Sequence, residues 1–259
     1  MRFDVITLFP ELFAPFLASG VTRRAYDTGL VSVRLSNPRD VAQGNYRRVD
    51  DRPFGGGPGM VMMAEPLAIC LEQIQASRAV DGLAPAPVVL FSPIGEPLRH
   101  AVVERWSASD GAVLVCGRYE GLDQRFIDRH VTHQISLGDF VLSGGEIAAM
   151  ALLDAVARLQ PGVLNDEGSH QFDSFNPALD GLLDCPHYTR PETWRGSTAP
   201  AMLLSGNHGQ IDGWRRQQRL ALTQRLRPDL LVSARDAGRL TRADEAFLDD
   251  LVENSSRDA

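Results

Sequence analysis

The sequence predicts an α/β domain with a largely parallel sheet, followed by a smaller and mainly helical domain. Short apolar runs of about 4–6 residues recur through the first two-thirds of the chain, and helical patterns separate several of them. Beyond residue 162 this alternation stops and the remaining patterns are helical. Strands that alternate with helices are typical of a parallel sheet whose strands are joined by helical crossovers.

Five apolar runs are the predicted strands: Phe3 to Leu8, Val31 to Leu35, Val88 to Phe91, Ala112 to Cys116 and His133 to Ser136. Three segments have helix-forming composition: Pro66 to Ser77, Leu98 to Ala108 and Glu146 to Leu159. The last of these is apolar around most of its circumference and ends before Pro161-Gly162, where a helix cannot continue. We expect it to be buried against other structure, such as a partner subunit.

The boundary of the first domain is predicted at residue 162. The sequence that follows, VLNDEGSHQFDSFNPALDG, loses its periodicity and is rich in turn-forming residues, which is typical of a linker. The predicted organisation is an α/β domain over residues 1–162, a mobile linker over 163–175 and a helical domain over 176–259. Two amphipathic helices are predicted in the last domain, Trp214 to Leu226 and Arg242 to Val252.

Composition excludes several classes of protein. No stretch approaches the roughly 20 apolar residues of a membrane span, and the N-terminus lacks the pattern of a secretory signal, so we expect a cytoplasmic protein with no membrane partner. The net charge of −7 argues against a protein that binds nucleic acid over its whole surface. Between Asp212 and Arg227, however, five arginines stand against one aspartate, which predicts either an RNA-binding face or an ordinary solvated helix.

Three strands each run into a loop of Gly, Pro and small polar residues. These loops are SPIGEP (Ser92 to Pro97), GRYEGLD (Gly117 to Asp123) and SLGDFVLSGGE (Ser136 to Glu146). Ligands of open α/β sheets bind at the carboxyl ends of the strands, and glycine lets the backbone approach them closely, so the three loops together predict a pocket. Any one of them alone is better explained as a tight turn.

Common nucleotide and metal sites are not predicted. The chain contains no lysine and therefore no GxxxxGK[ST] loop, and FPELF rather than GxGxxG follows the first strand. Gly55 to Gly59 follow no convincing strand and are interpreted as a flexible loop. His130 and His133 have an H-x-x-H spacing but no third ligand nearby, so no metal site is predicted.

Five blocks in order, VDDRPFGGGPGM, LVCGRYEGLD, SLGDFVLSGGE, LLDCPHYTRP and LLSGNH, resemble the bacterial tRNA (guanine-N1-)-methyltransferase family. The resemblance extends from LFPELF near the N-terminus to about Arg219. It implies the SPOUT fold, whose sheet carries a deep trefoil knot, a rare exception among proteins. It also implies methyl transfer from S-adenosylmethionine to N1 of guanine 37, immediately 3′ of the tRNA anticodon.

The resemblance implies where the methyl donor binds. The residues are Pro93, Gly117, Tyr119, Glu120, Gly121, Ser136, Leu137, Gly138, Asp139, Phe140, Val141, Leu142, Gly144 and Gly145. At Phe140 the family often has Tyr, so a hydrogen bond through that hydroxyl is absent here while the packing of the ring can remain.

Guanine N1 carries a proton at neutral pH, so the reaction needs a general base and a cation near O6. The resemblance assigns Asp173 as the base and Arg158 as the cation. Without it, Asp173 would be interpreted as a solvated loop acid, and Arg158 as an i, i+4 partner of Asp154. Glu120 is the next candidate base and a candidate carboxylate near Mg²⁺, because magnesium dependence is a family property.

Candidate tRNA-binding residues lie near and within the second domain: His187, Tyr188, Arg190, Asn207, His208, Arg215 and Arg219. They suit the stacking and base-edge contacts of a splayed RNA loop, here the anticodon stem-loop, although a structural turn would also explain them. The resemblance further implies a homodimer that brings Asp173 of one subunit to the donor pocket of the other. The alternatives from other classes are a non-catalytic RNA-binding module and a phosphoryl-transfer enzyme.

Overall fold

The computed structural model describes residues 1–165 and 168–257. The chain divides into two compact units, Met1–Asn165 and Asp166–Ala259. The linker predicted over residues 163–175 includes Asp166 and Glu167, which lie outside the described residues.

The first unit contains, in chain order, β1 (Arg2–Ile6), α1 (Phe13–Leu17), α2 (Arg23–Asp27), β2 (Ser32–Ser36), α3 (Pro38–Val41), β3 (Asp50–Asp51), β4 (Val61–Met62), α4 (Ala64–Val80), β5 (Val88–Pro97), α5 (His100–Ser107), β6 (Val113–Val115), α6 (Gln124–His130), β7 (His133–Ser136) and α7 (Glu146–Arg158). Five of the strands form one sheet in the order β2-β1-β6-β5-β7, and every neighbouring pair is parallel. The predicted α/β class with a mostly parallel sheet is confirmed.

Both faces of this sheet are covered, as parallel sheets require. Successive side chains of a strand point to opposite faces, so Val113 and Val115 pack with α4 and α6 while Leu114 packs with α2, α5 and α7. The buried apolar residues of the sheet therefore come mainly from β1, β6 and the first half of β5, whereas the edge strands β2 and β7 contribute few.

The helix α7 buries its apolar residues inside its own unit. Ala149, Leu152, Leu153, Val156 and Ala157 are fully buried in the core cluster on one face of the sheet. The apolar circumference of this helix therefore does not by itself require a partner subunit. Of the large apolar side chains of this helix, Ile147 is the exposed one, at 55%.

Two sequence interpretations differ from the structure. The loop SPIGEP is part of β5, which continues to Pro97 with a register shift between Phe91 and Glu96 against β7. The short helices α1, α2, α3 and α6 were not predicted, because four to seven residues are too few to show a helical period.

The second unit is built from two turns of 3₁₀-helix (Ser169–Phe172 and Pro177–Leu179), the hairpin β8 (Thr193–Trp194) and β9 (Ser197–Thr198), and the helices α8 (Ala201–Leu204), α9 (His208–Leu226), α10 (Pro228–Asp236) and α11 (Arg242–Arg257). Leu182, Leu220, Leu231 and Leu248 form its small core. In the described part of the chain, no helix is long and apolar enough to span a membrane.

Candidate active site

One pocket of about 390 Å³ lies where β5, β6 and β7 end. Twelve of the residues predicted to bind the donor line it: Pro93, Gly117, Tyr119, Glu120, Gly121, Ser136, Leu137, Phe140, Val141, Leu142, Gly144 and Gly145. Gly138 and Asp139 belong to the same loop, but the pocket lining passes from Leu137 to Phe140. The volume is in the range of small-molecule sites, and much of the wall is backbone.

The pocket also has residues that the sequence interpretation missed. Leu90, Ile94, Leu122 and Ile127 add apolar wall, and Arg118 adds a cation. Arg118 belongs to the GRYEG block, so its position in a strand-end loop could have predicted that it lines the pocket.

The GRYEG loop is held in an unusual backbone conformation by its neighbours. Tyr119 has a φ of +60°, a region that L-residues seldom occupy, and its hydroxyl accepts a hydrogen bond from Arg39 Nη2 at 3.2 Å. The backbone N–H of Glu120 donates to the carbonyl of Met60 at 2.9 Å. Strained residues of this kind persist where the surroundings fix them, and they concentrate at functional sites.

The run Gly55 to Gly59, interpreted from the sequence as a flexible loop, ends against Glu120. It connects β3 to β4, an antiparallel pair. Gly59 has a φ of +77°, and a Cβ there would lie only 2.5 Å from Glu120 Cγ. Glycine is therefore needed at this position both for its conformation and for the close approach of Glu120.

The loop after β7 returns to the end of β6. Gly145 donates its N–H to the carbonyl of Gly117 at 3.0 Å, and a Cβ on Gly145 would lie 2.8 Å from Cys116 Cα. Burial raises the pKa of the Cys116 thiol well above its usual range, and the nearby charge of Glu146 raises it further. Cys116 is thus a neutral packing residue, not a nucleophile.

Comparison with known proteins assigns this chain to a family. The model of the family described as tRNA (Guanine-1)-methyltransferase TrmD matches residues 1–233. The chain belongs to this family. The resemblance inferred from the motifs is confirmed, and the family is one of S-adenosylmethionine-dependent tRNA methyltransferases.

Named relatives agree with the family match over nearly their whole length. A tRNA (guanine-N(1)-)-methyltransferase of Polaromonas sp. is 78% identical, with both chains fully covered. The protein of the same name from Albidiferax ferrireducens is 75% identical over 96% of this chain and 98% of its own. One from Janthinobacterium sp. is 54% identical over 97% of this chain and all of its own.

Of the two side chains to which the family resemblance assigns catalysis, Arg158 is the last residue of α7 and is half-buried. Asp154, its suggested partner, accepts a hydrogen bond from the Thr22 hydroxyl at 2.8 Å. Asp173 is half-buried and extended directly after a 3₁₀ turn, and its N–H donates to the carbonyl of His170 at 3.3 Å.

Some of the candidate tRNA-binding residues already have partners within the second unit. His187 is exposed and contacts Asp184 through Nε2 at 2.8 Å, while Arg219 Nε lies 3.4 Å from the same carboxylate. The side chain of Asn207 caps α9 by accepting the N–H of Gln210. His208 follows as the first residue of that helix.

The remaining candidates are more open to solvent. The Tyr188 ring is 52% exposed and lies 6.3 Å from the Trp214 ring. Arg190 is exposed, and Arg215 makes a loose ion pair of 3.5 Å with Asp212. Tyr188, Arg190 and Arg215 are therefore accessible to solvent, whereas Arg219 is largely enclosed.

Proposed function

We propose that this protein transfers the methyl group of S-adenosylmethionine to N1 of guanine 37 of tRNA. The observation that carries the proposal is the convergence of two strand-end loops and the middle of β5 on one pocket in a member of this family. Gly117, Gly144 and Gly145 offer close backbone approach to an adenine edge, while Leu122 and Leu142 offer apolar contact to its faces.

The chemical step needs a base and a cation. As the N1–carbon bond forms and the sulfur–carbon bond of the sulfonium breaks, Asp173 would accept the N1 proton, leaving a neutral thioether as the second product. Arg158 would stabilise the negative charge that develops on guanine O6. Glu120 is the alternative base.

The position of Arg158 supports a shared site in a homodimer. An α-helix rises 1.5 Å per residue, so Arg158 lies about 18 Å along α7 from Glu146, which stands at the donor pocket. A role at the methyl group therefore needs the pocket of another subunit. We expect light scattering to give twice the chain mass of 28.4 kDa, and mixed dimers of Arg158→Ala and Gly145→Val chains to recover activity. Full activity in a monomer would exclude the shared site.

The proposal also includes a knotted sheet and separate binding roles for the two units. β7 is at the edge of the sheet, yet the chain returns from it to the end of β6 before α7 begins. This return supports a trefoil knot. Residues 1–162 would then bind the donor, 163–175 would link the domains, and 176–259 would bind the anticodon stem-loop in the cytoplasm.

Magnesium dependence is implied by the resemblance. Among residues 1–165 and 168–257, no three His, Cys, Asp or Glu side chains are grouped to hold a metal ion. Mg²⁺ commonly binds through one or two carboxylates together with waters and substrate phosphates, and the exposed carboxylate of Glu120 on the pocket fits that mode. When bound, the ion would supply positive charge beside the reacting base.

The decisive experiment is calorimetric titration with S-adenosylhomocysteine and with ATP. We expect the first to bind once per pocket and the second not to bind, because the chain has no lysine to hold phosphates. ATP binding in preference would favour the phosphoryl-transfer alternative. Donor binding without transfer to tRNA would favour the RNA-binding module.

Replacing Asp173 by Asn tests the base. The variant keeps its shape and loses its basicity, so donor binding should stay native while the single-turnover rate falls by roughly 10²–10⁴-fold. Asp212→Asn, an exposed acid of the same unit, is the control and should react at the native rate. A native rate for Asp173→Asn at saturating tRNA would exclude it and point to Glu120.

A further inference from the structure

A buried carboxylate lies directly beneath the donor pocket. Glu146 is 1% exposed, and its Oε1 accepts a hydrogen bond from the Thr7 hydroxyl at 2.8 Å. Its Oε2 lies 2.9 Å from Arg118 Nε in an ion pair whose geometry is not that of a hydrogen bond. Thr7 follows β1, Arg118 follows β6 and Glu146 ends the loop after β7, so the contacts join three strand ends.

The contacts close into a ring of four residues. Thr7 Oγ1 also accepts the backbone N–H of Phe9 at 3.0 Å. The Phe9 ring in turn lies 4.3 Å from Arg118 Cζ, within the range of a cation–π interaction. We call Thr7, Phe9, Arg118 and Glu146 the floor ring. It explains what the LFPELF segment after β1 contributes to this end of the sheet.

The floor ring also holds the loop that lines the pocket. Arg118 Nη1 donates to the carbonyl of Ser143 at 3.2 Å. A Cβ on Gly144 would lie 2.5 Å from both Arg118 Cδ and Glu146 Oε2. Since Gly145 packs against the backbone of Cys116 on its other side, residues 143–145 are held between the Arg118 side chain and the end of β6.

Burial makes this arrangement sensitive to the charge of Glu146. An unpaired charge in a site of low dielectric is costly, so Arg118 stays over the loop only while the carboxylate is beneath it. Neutral glutamine at this position would keep the shape but leave the Arg118 guanidinium without its counter-charge. Arg118 would then turn toward solvent and release residues 143–145.

We propose that Glu146, acting through Arg118 and Thr7, is a positioning residue that sets the shape of the methyl-donor pocket, an inference that rests on the proposed function. Glu146 itself does not line the pocket, whereas Arg118, Ser143 and Gly144 do. Loss of the carboxylate therefore weakens donor binding and leaves the chemical step intact once the donor is bound. Donor affinity and donor KM should change while kcat at saturating donor does not.

The principal test compares Glu146→Gln with Asp4→Asn in the full-length protein. Asp4 is a matched control, because it is equally buried, is bound by arginines and, in the middle of β1, does not line the pocket. For Glu146→Gln we expect the affinity for S-adenosylhomocysteine to fall about tenfold or more, with kcat within about twofold of native. The Asp4 variant should lose thermal stability and retain native donor affinity in its folded fraction.

Two milder substitutions at Thr7 test the proposal even if Glu146→Gln fails to fold. Thr7→Val removes the hydroxyl that donates to Glu146 and should weaken donor binding about threefold to tenfold, while Thr7→Ser retains the hydroxyl and should restore it. Asp81→Asn, in the half-exposed ion pair with Arg2, is the control for this pair and should bind the donor normally. Native donor affinity in both Glu146→Gln and Thr7→Val would overturn the proposal, as would an equal loss in the controls.

A second readout needs no donor at all. Hydrogen exchange of the ligand-free protein should be faster at the Gly145 amide in Glu146→Gln than in native protein or Asp4→Asn, because this amide bonds to Gly117 only while the loop is held. Faster exchange in a protein that binds no donor would support the floor ring and sink the proposed function. Unchanged exchange with normal donor binding would contradict the role of the floor ring and leave the proposed function standing.

Discussion

Two buried clusters at β1 carry similar charged groups in different surroundings. In the middle of the strand, Asp4 accepts hydrogen bonds from Arg2 at 2.6 Å and from Arg78 at 3.0 Å. Past its end, Glu146 meets Arg118 at 2.9 Å without hydrogen-bond alignment. The first network is buried around Arg78 of α4, which is 2% exposed. The second opens onto the pocket.

This difference separates charges that hold the fold from charges that shape a site. Arg78 also donates to the carbonyl of Arg2 at 3.1 Å, so it joins side chains and backbone in one fully paired cluster. Buried polar atoms are nearly always hydrogen-bonded, and exceptions concentrate where function requires a compromise. The misaligned pair beneath the pocket is such an exception.

The largest loss of stability is expected on substitution of Asp4. Asp4→Ala leaves the buried Arg2 and Arg78 without their shared counter-charge, which should lower the free energy of unfolding by about 3–5 kcal/mol. Denaturant titration of the native and variant proteins measures this. Donor affinity of the folded fraction should remain native, and a parallel loss of donor affinity would show that the two clusters are not independent.

Two matched glycines sharpen the comparison. Gly145 approaches Cys116 at the pocket end, and Gly111, with a φ of +104°, approaches the backbone of Arg2 at the opposite end. Each alanine variant should lose about 1–3 kcal/mol of stability because the backbone must move to admit a methyl group. Only Gly145→Ala should also reduce donor affinity, by about tenfold. Equal donor affinities of the two variants in calorimetry would contradict a local effect at the pocket.

Elements formed by residues that are close together in the chain were predictable from the sequence, whereas contacts between distant residues were not. The five strands were predicted from short runs containing apolar and β-branched residues, and α7 from its helix-forming composition, with an error of one residue at its end. The helix α10 was missed, since its nine residues present only a short amphipathic pattern between two stronger ones.

The pocket loops were predictable and their supports were not. Ligand sites of parallel sheets lie at strand ends, so GRYEG and SLGDFVLSGGE pointed to a pocket directly. Thr7 and Glu146, by contrast, are 139 residues apart, and no periodicity or spacing relates a threonine to a carboxylate at that distance. The same holds for Gly59 and Glu120, which only the folded chain brings together.

The smallest effect is expected at Asp244 in the second unit, which has the aligned geometry of Asp4 but more solvent around it. Arg216 donates to both carboxylate oxygens at 3.0 Å, and Asp244 also accepts the N–H of Thr241 at 2.8 Å. The hydrogen bonds from Arg216 lower the pKa of Asp244 from 3.8 to about 2, against the opposing effect of burial, and the Thr241 N–H assists.

Because the folded-state pKa of Asp244 lies below its unfolded value, the carboxylate stabilises the fold above about pH 4 and loses this effect as the pH falls toward 2. Asp244→Asn keeps the shape and removes the charge, so it should cost about 1–2 kcal/mol at pH 7. The gap between native and variant proteins should then close between about pH 4 and pH 2 in denaturant titrations. A gap that stays constant across this range would mean that Asp244 contributes through shape alone, and that aligned geometry is not what distinguishes a stabilising arginine–aspartate pair in this protein.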